Sequence, residues 1–152
     1  MSIAEEVLAE ARRWIGTPYR HGGSRCQVGS DCLGLVRGIW RALYGQEPQV
    51  VPAYSADWAE TNRGDPLLEA GRLHMDEKPL ANAAPGDLLV FRWRDGMAAK
   101  HLGILANEDR FIHAYEGHSV MDSALVPQWR KRIAGVFTFP DRAAASQTTP
   151  YR

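Results

Sequence analysis

Cys32 stands in GSDCLGLVRGIW, where a glycine-marked loop turns into an apolar-periodic segment. A cysteine in a first helical turn meets free backbone N–H groups and the positive end of the helix dipole. Both favour the thiolate, the reactive form. Its neighbour Asp31 has two opposite effects. As a cap it turns its charge onto those N–H groups, and as a close carboxylate it raises the thiol pKa. On position alone, Cys32 is either a nucleophile or an inert packing residue. A nucleophile needs a base, and the chain has five histidines: His21, His74, His101, His113 and His118. His101 opens the alternating run HLGILA, in which Leu102, Ile104 and Ala106 face one side and His101, Gly103 and Leu105 the other. His113 lies in FIHAY. If a turn centres on residues 107–110, the two histidines project near one another across adjacent strands. One imidazole then takes the thiol proton and the other holds it through its second nitrogen. Taken singly, each reads as a structural histidine; the pair points to chemistry.

Other chemistries are weaker. Cys32, His101 and His113 can be read as three zinc ligands, but no HxH or HExxH pair anchors them, so no metal or cofactor is expected. Asp87 in APGDLLVF is explained as a turn residue entering a strand, and no second carboxylate completes a glycosidic pair. Tyr19 either points its phenol into the cleft, as an oxyanion donor beside the Cys32 N–H, or packs its turn onto the core. His21 and His74 carry no partner signal, and His118 falls in an exposed turn. Cys26, six residues before Cys32, is a candidate for trapping it in a disulfide under oxidation.

The elements that must position these groups are partly legible. Residues 2–15 predict a helix, with Ser2 and Glu5 as a capping box and Ile3, Val7, Ala11 and Trp14 at helical spacing. Gly16 and Pro18 stop it, and residues 24–30 read as loop. A second helix starts near Ser30 or Asp31, carries Leu33, Val36, Ile39 or Trp40, and Leu43 as its apolar stripe, and ends before Gly45. Gly34 and Gly38 within it predict close packing against a sheet. SADWAETNRGD, capped by Ser55, and PLLEAGRL are candidate short helices. NAAPGD is a turn leading to the strand DLLVFRW, followed by HLGILAN, DRFIHAY and HSVMDSA. ALVPQWRKR is ambiguous, and IAGVFTF is the last strand. Helices first and an antiparallel meander second make an α+β domain over residues 1–140, with a polar tail over 141–152.

The chain has 152 residues, 45% hydrophobic and 24% charged, which suits one soluble globular domain. Net charge is zero, which disfavours a broad electrostatic grip on nucleic acid. Two cysteines are too few for a disulfide framework. The glutamate-bearing N-terminus has no apolar core of a Sec signal, and no apolar run reaches membrane-spanning length, so no membrane insertion is expected. Residence in the cytoplasm, or in a particle assembled there, is the expectation.

GTPYRHGG, SDCLGLV, PGDLLVF, HLGIL and FIHAY, in this order and spacing, resemble the NlpC/P60 family of papain-like cysteine peptidases. DCLGLV in a compact domain is similar to the subset found in phage tails and phage-like particles. The resemblance implies a papain-like α+β core, with the nucleophile helix packed on an antiparallel sheet. It places the nucleophile at Cys32, the general base at His101, the orienting position at His113 and an oxyanion-assisting tyrosine at Tyr19. The serine usual after the nucleophile is Leu33 here, and the tryptophan usual before the glycine pair is His21. Both departures bear on the rim of the cleft and on substrate fit. The implied activity is hydrolysis of peptidoglycan stem peptides through a thioester, often between D-glutamate and diaminopimelate. The implied partners are those peptides and phage-like tail proteins. A non-hydrolytic tail component and a thiol amidase or acyltransferase are the alternatives.

Overall fold

The computed structural model describes residues 1–51, 54 and 64–142. Helix α1 (Ile3–Arg13) opens on the expected capping box: Glu5 N donates to Ser2 Oγ at 3.1 Å and Ser2 N to Glu5 Oε1 at 2.9 Å. Val7 and Ala11 are buried on one face, and Trp14 closes the helix. Residues 24–30, expected as loop, form a small ribbon. β1 (Ser24–Arg25) pairs antiparallel with β2 (Gly29–Ser30) around Gln27, whose φ is +63°. Strands of two residues carry no periodicity, so the pattern is silent there.

Helix α2 (Cys32–Tyr44) begins after Asp31 and ends at Gly45, which takes the left-handed cap at φ +90°. Its buried stripe is Leu35, Ile39, Trp40 and Leu43. Leu33 and Val36, expected in the stripe, only flank the core, whereas Leu35 is fully buried. The i, i+4, i+8 line through Leu35 was masked because residues 33–36 are nearly all apolar. The two glycines do pack closely, but not against the sheet. A Cβ on Gly34 would lie 1.8 Å from the Gly23 carbonyl oxygen, and one on Gly38 2.0 Å from the Trp14 ring. α2 is thus seated against the Gly22–Gly23 loop and against α1.

Helix α3 (Pro66–His74) matches PLLEAGRL. Of the expected helix capped by Ser55, residues 55–63 lie outside the described residues. Strand β3 (Asp76–Lys78), polar and short, was not foreseen. Then follow β4 (Leu88–Phe91), β5 (His101–Asn107), β6 (Arg110–Ala114), β7 (Val120–Ala124), the short helix α4 (Pro127–Arg130) and β8 (Ile133–Thr138). All pairs are antiparallel in the order β3-β8-β4-β5-β6-β7. The meander therefore holds for β4 to β7, while β8 crosses back to pair beside β4. Asp87 is the turn residue expected before β4, accepting from Ala84 N at 2.8 Å and pairing with Lys78 Nζ at 2.7 Å.

Alternation along β4 and β5 divides the core in two. Leu88, Val90, Leu102, Ile104 and Ala106 pack with the helices, while Leu89, Phe91 and Leu105 pack with Phe111, Leu125 and Val136 on the other face. Of the expected polar tail, Arg142 reaches back to Glu6 and to the Leu43 carbonyl, and residues 143–152 lie outside the described residues. Among the described residues, no helix is long and apolar enough to cross a membrane.

Candidate active site

Cys32 is the first residue of α2, and what surrounds it is set by Asp31. That buried carboxylate caps the helix through Gly34 N at 2.7 Å on Oδ1. Its Oδ2 accepts from Gly22 N at 2.7 Å and from the Tyr54 hydroxyl. Gly22 can turn its N–H inward because it takes φ +76°. The glycine pair in RHGGS therefore closes the loop directly onto the first turn of α2. Tyr19 precedes this loop, half-buried and bridged to Ser30 beside Cys32. The Cys32 sulfur lies 3.9 Å from the Lys100 carbonyl oxygen and faces the Leu102 N–H, so it approaches the backbone on both sides of His101.

His101 and His113 come from adjacent strands. The pairing of Ile104 with Ile112 puts His113 across from Gly103, with His101 on the diagonal. Gly103 is required for this arrangement: a Cβ there would lie 2.8 Å from the Phe111 ring. His101 Nε2 and His113 Nδ1 are 2.8 Å apart, and His113 Nε2 is 2.9 Å from Ser123 Oγ on β7. The pair is buried and walled by aromatic rings. Trp93 stacks on His101 with centroids 5.6 Å apart, and Phe111 lies 4.1 Å from His113. With Nε2 taken by His113, Nδ1 is the His101 nitrogen left for a thiol.

Burial first, and Asp31 second, push the Cys32 thiol up to about 12, against the pull of the Leu102, Leu33 and Cys32 N–H groups. Burial, then His113, holds His101 well below the ordinary imidazole range, and burial, then His118, holds His113 at about 4. The Tyr19 phenol is pushed up to about 12 by burial, then by Cys32 and Asp31, so it stays a hydrogen-bond donor. The helix N-terminus was expected to favour a thiolate. Desolvation and the capping carboxylate outweigh it, and the resting site is a neutral thiol beside neutral imidazoles.

Residues 16–138 of this chain match the NlpC/P60 family. The chain belongs to that family. It is 30% identical over 136 residues to the gamma-DL-glutamyl hydrolase of Bacillus subtilis (strain 168), covering 88% of this chain and 29% of the relative. It is 27% identical over 133 residues to the murein DD-endopeptidase MepS/murein LD-carboxypeptidase of Escherichia coli (strain K12), covering 87% and 61%. The chain thus spans less than two thirds of either relative. Its fold is that of the NlpC/p60 domain of the peptidoglycan hydrolase SagA, with a TM-score of 0.61 at 24% identity, covering 90% of this chain and 98% of that one.

Within this NlpC/P60 frame the fold brings Cys32, Tyr19, His101 and His113, the residues expected from the sequence, to one end of the sheet. His21, thought to lack a partner, lies with Nε2 2.7 Å from the Tyr54 carbonyl and Nδ1 4.0 Å from Asp31. His74 Nε2 meets Gln49 Oε1 at 2.7 Å, well outside this group. His118 is exposed, as expected, and stacks on Tyr115. Both cysteines are free, and the Cys26 thiol rests on the Arg13 carbonyl at 3.4 Å, at the end of α1. Sequence reasoning missed Tyr54, Trp93 and Ser123.

Proposed function

We propose that this chain hydrolyses amide bonds of peptidoglycan stem peptides, with Cys32 as nucleophile and His101 as general base. The observation that carries this reading is the seating of the α2 N-terminal thiol against the backbone that flanks His101, whose ring is already held by His113. The names of the B. subtilis and E. coli relatives, a glutamyl hydrolase and a murein endopeptidase, support this substrate class. In the reaction His101 Nδ1 takes the thiol proton as sulfur bonds to the carbonyl carbon. The oxyanion accepts from the Tyr19 hydroxyl and the Cys32 N–H. Collapse breaks the C–N bond, and the imidazolium gives its proton to the leaving amine. Water, deprotonated by His101, then cleaves the thioester to acid and thiol. His113 is neutral, so the transient His101 charge has no carboxylate partner.

The finer assignment is the bond between D-glutamate and diaminopimelate, in a phage or phage-like tail. It rests on the motif resemblance, DCLGLV above all. Stem peptides incubated with purified protein should release a new amine, followed by mass spectrometry. Cys32→Ala should lower the rate by roughly 10⁴-fold or more. Cleavage by Cys32→Ala at the parental rate would remove Cys32 from this role. A non-hydrolytic binding role is the second reading, favoured by a sulfur that rests on the Lys100 carbonyl; stem-peptide binding without amine release is its signature.

A further inference from the structure

The polar chain on the histidine side continues past His113 to Ser123 Oγ. A neutral imidazole has one N–H and one bare nitrogen, so these linked groups must share one polarity. With protons pointing outward, His101 Nε2–H donates to His113 Nδ1 and His113 Nε2–H donates to Ser123 Oγ. His101 Nδ1 is then bare. With protons pointing inward, the Ser123 hydroxyl donates to His113 Nε2 and His113 Nδ1–H donates to His101 Nε2. His101 Nδ1 then already holds a proton and is no base. The Ser123 hydroxyl at the far end accepts in the first state and donates in the second.

We propose that Ser123 is a positioning residue of this site: its Oγ accepts from His113 and fixes both imidazoles in the tautomer that leaves His101 Nδ1 free for the Cys32 proton. The inference rests on the proposed hydrolysis with His101 as base. The sheet supplies the geometry. Ser123 pairs with Phe111 and Met121 with His113 across β6 and β7, so Ser123 shares the His113 face at diagonal reach. Phe111, Tyr115 and Trp129 also pack their rings against His113. His113 is 2% exposed, so an Nε2–H deprived of Ser123 would stay buried and unsatisfied. Inverting the chain is then the cheaper outcome, and it places the proton on His101 Nδ1. In the reaction the same polarity persists: the thiol proton adds to His101 Nδ1 while Nε2–H goes on donating to His113.

Ring-nitrogen NMR of histidine-labelled protein at neutral pH reads the tautomers directly. Both His101 and His113 should be Nε2–H in the parent. Ser123→Ala should shift His113 toward Nδ1–H and lower kcat on stem peptides about 3- to 10-fold with KM unchanged. Ser123→Thr, which keeps the hydroxyl, should restore both readouts. An Nδ1–H His113 in the parent overturns the inference, whether or not Ser123→Ala folds. So does Ser123→Ala with parental tautomers and parental kcat. Iodoacetamide labelling of Cys32 in His101→Ala separates the two levels. Slower labelling there, beside an inert Ser123→Ala, removes Ser123 alone; unchanged labelling and hydrolysis remove the base and the inference with it.

Discussion

Beside Cys32 a buried carboxylate is held by two backbone N–H groups and a phenol, whereas His101 and His113 have each other and Ser123 as polar partners within aromatic walls. The two sides of the cleft are built in opposite ways, yet the thiol and the imidazoles both end up neutral. On the cysteine side burial, and then the Asp31 carboxylate, push the thiol up; on the histidine side burial, and then a neighbouring imidazole, push the imidazoles down. The proton therefore rests on sulfur. In the proposed reaction moving it to His101 is uphill, and that cost is to be recovered where the oxyanion would meet the Tyr19 hydroxyl and the Cys32 N–H. An exposed thiolate would have been more nucleophilic at rest and also more open to oxidation.

The strongest break should come from the cysteine side. Gly34→Ala puts a methyl 1.8 Å from the Gly23 oxygen and must push the glycine loop off α2. Overpacking of this kind costs about 1–3 kcal/mol. Displacing this loop, and Tyr19 just before it, by an ångström should lower hydrolysis by about 10²-fold. Thermal melting and amine release from stem peptides check both, and an unchanged melting temperature would mean that the loop is not a fixed wall.

Acid should act on the histidine side. Below about 6.5 the unfolded chain protonates its imidazoles, while the fold keeps His113 neutral down to about 4 and His101 below its ordinary value. The unfolded state binds more protons in that window, so stability falls as pH falls through it. His113 alone contributes at most about 3 kcal/mol to this loss. Urea melts of the parent across this range should slope more steeply than those of His113→Gln; parallel slopes would show that His113 protonates freely in the fold. The thiol side has the reverse sign. Cys32 keeps its proton where the unfolded chain loses it, so its contribution declines as pH rises above about 9.

The smallest effect sharpens the boundary of the cysteine side. Cys26 sits on the Arg13 carbonyl, so Cys26→Ser should leave activity and its response to dithiothreitol as in the parent. A reductant response that disappears in Cys26→Ser would show that the two thiols do meet.

Legibility along the chain followed the range of the interaction. The capping box at Ser2 and Glu5, the Asp31 cap and the Gly45 stop are contacts within a few residues, and each was readable. The phase of the α2 stripe was misjudged, because in LGLV nearly every position is apolar and burial of Leu35 depends on where α1 and the sheet lie. The partners of Gly34 and Gly38 were misplaced for the same reason. The two-residue ribbon and the polar strand β3 carry too little pattern to announce themselves. The return of β8 to the flank of β4 is a topological choice that no local signal encodes.

The sequence by itself determined the reactive types and their order: a thiol at a helix start, a tyrosine before a glycine pair, and two histidines on successive strands. These are local because capping, turns and alternation act over short spans of chain. Only the tertiary structure decided their protonation and their links. The pKa of Cys32 is set by desolvation and by Asp31, whose carboxylate is held in place by Gly22, Gly34 and Tyr54. The line from His101 through His113 to Ser123 exists because strand register aligns residues 101, 113 and 123 on one face. Register and burial are properties of the packed whole, so that line could come only from the fold.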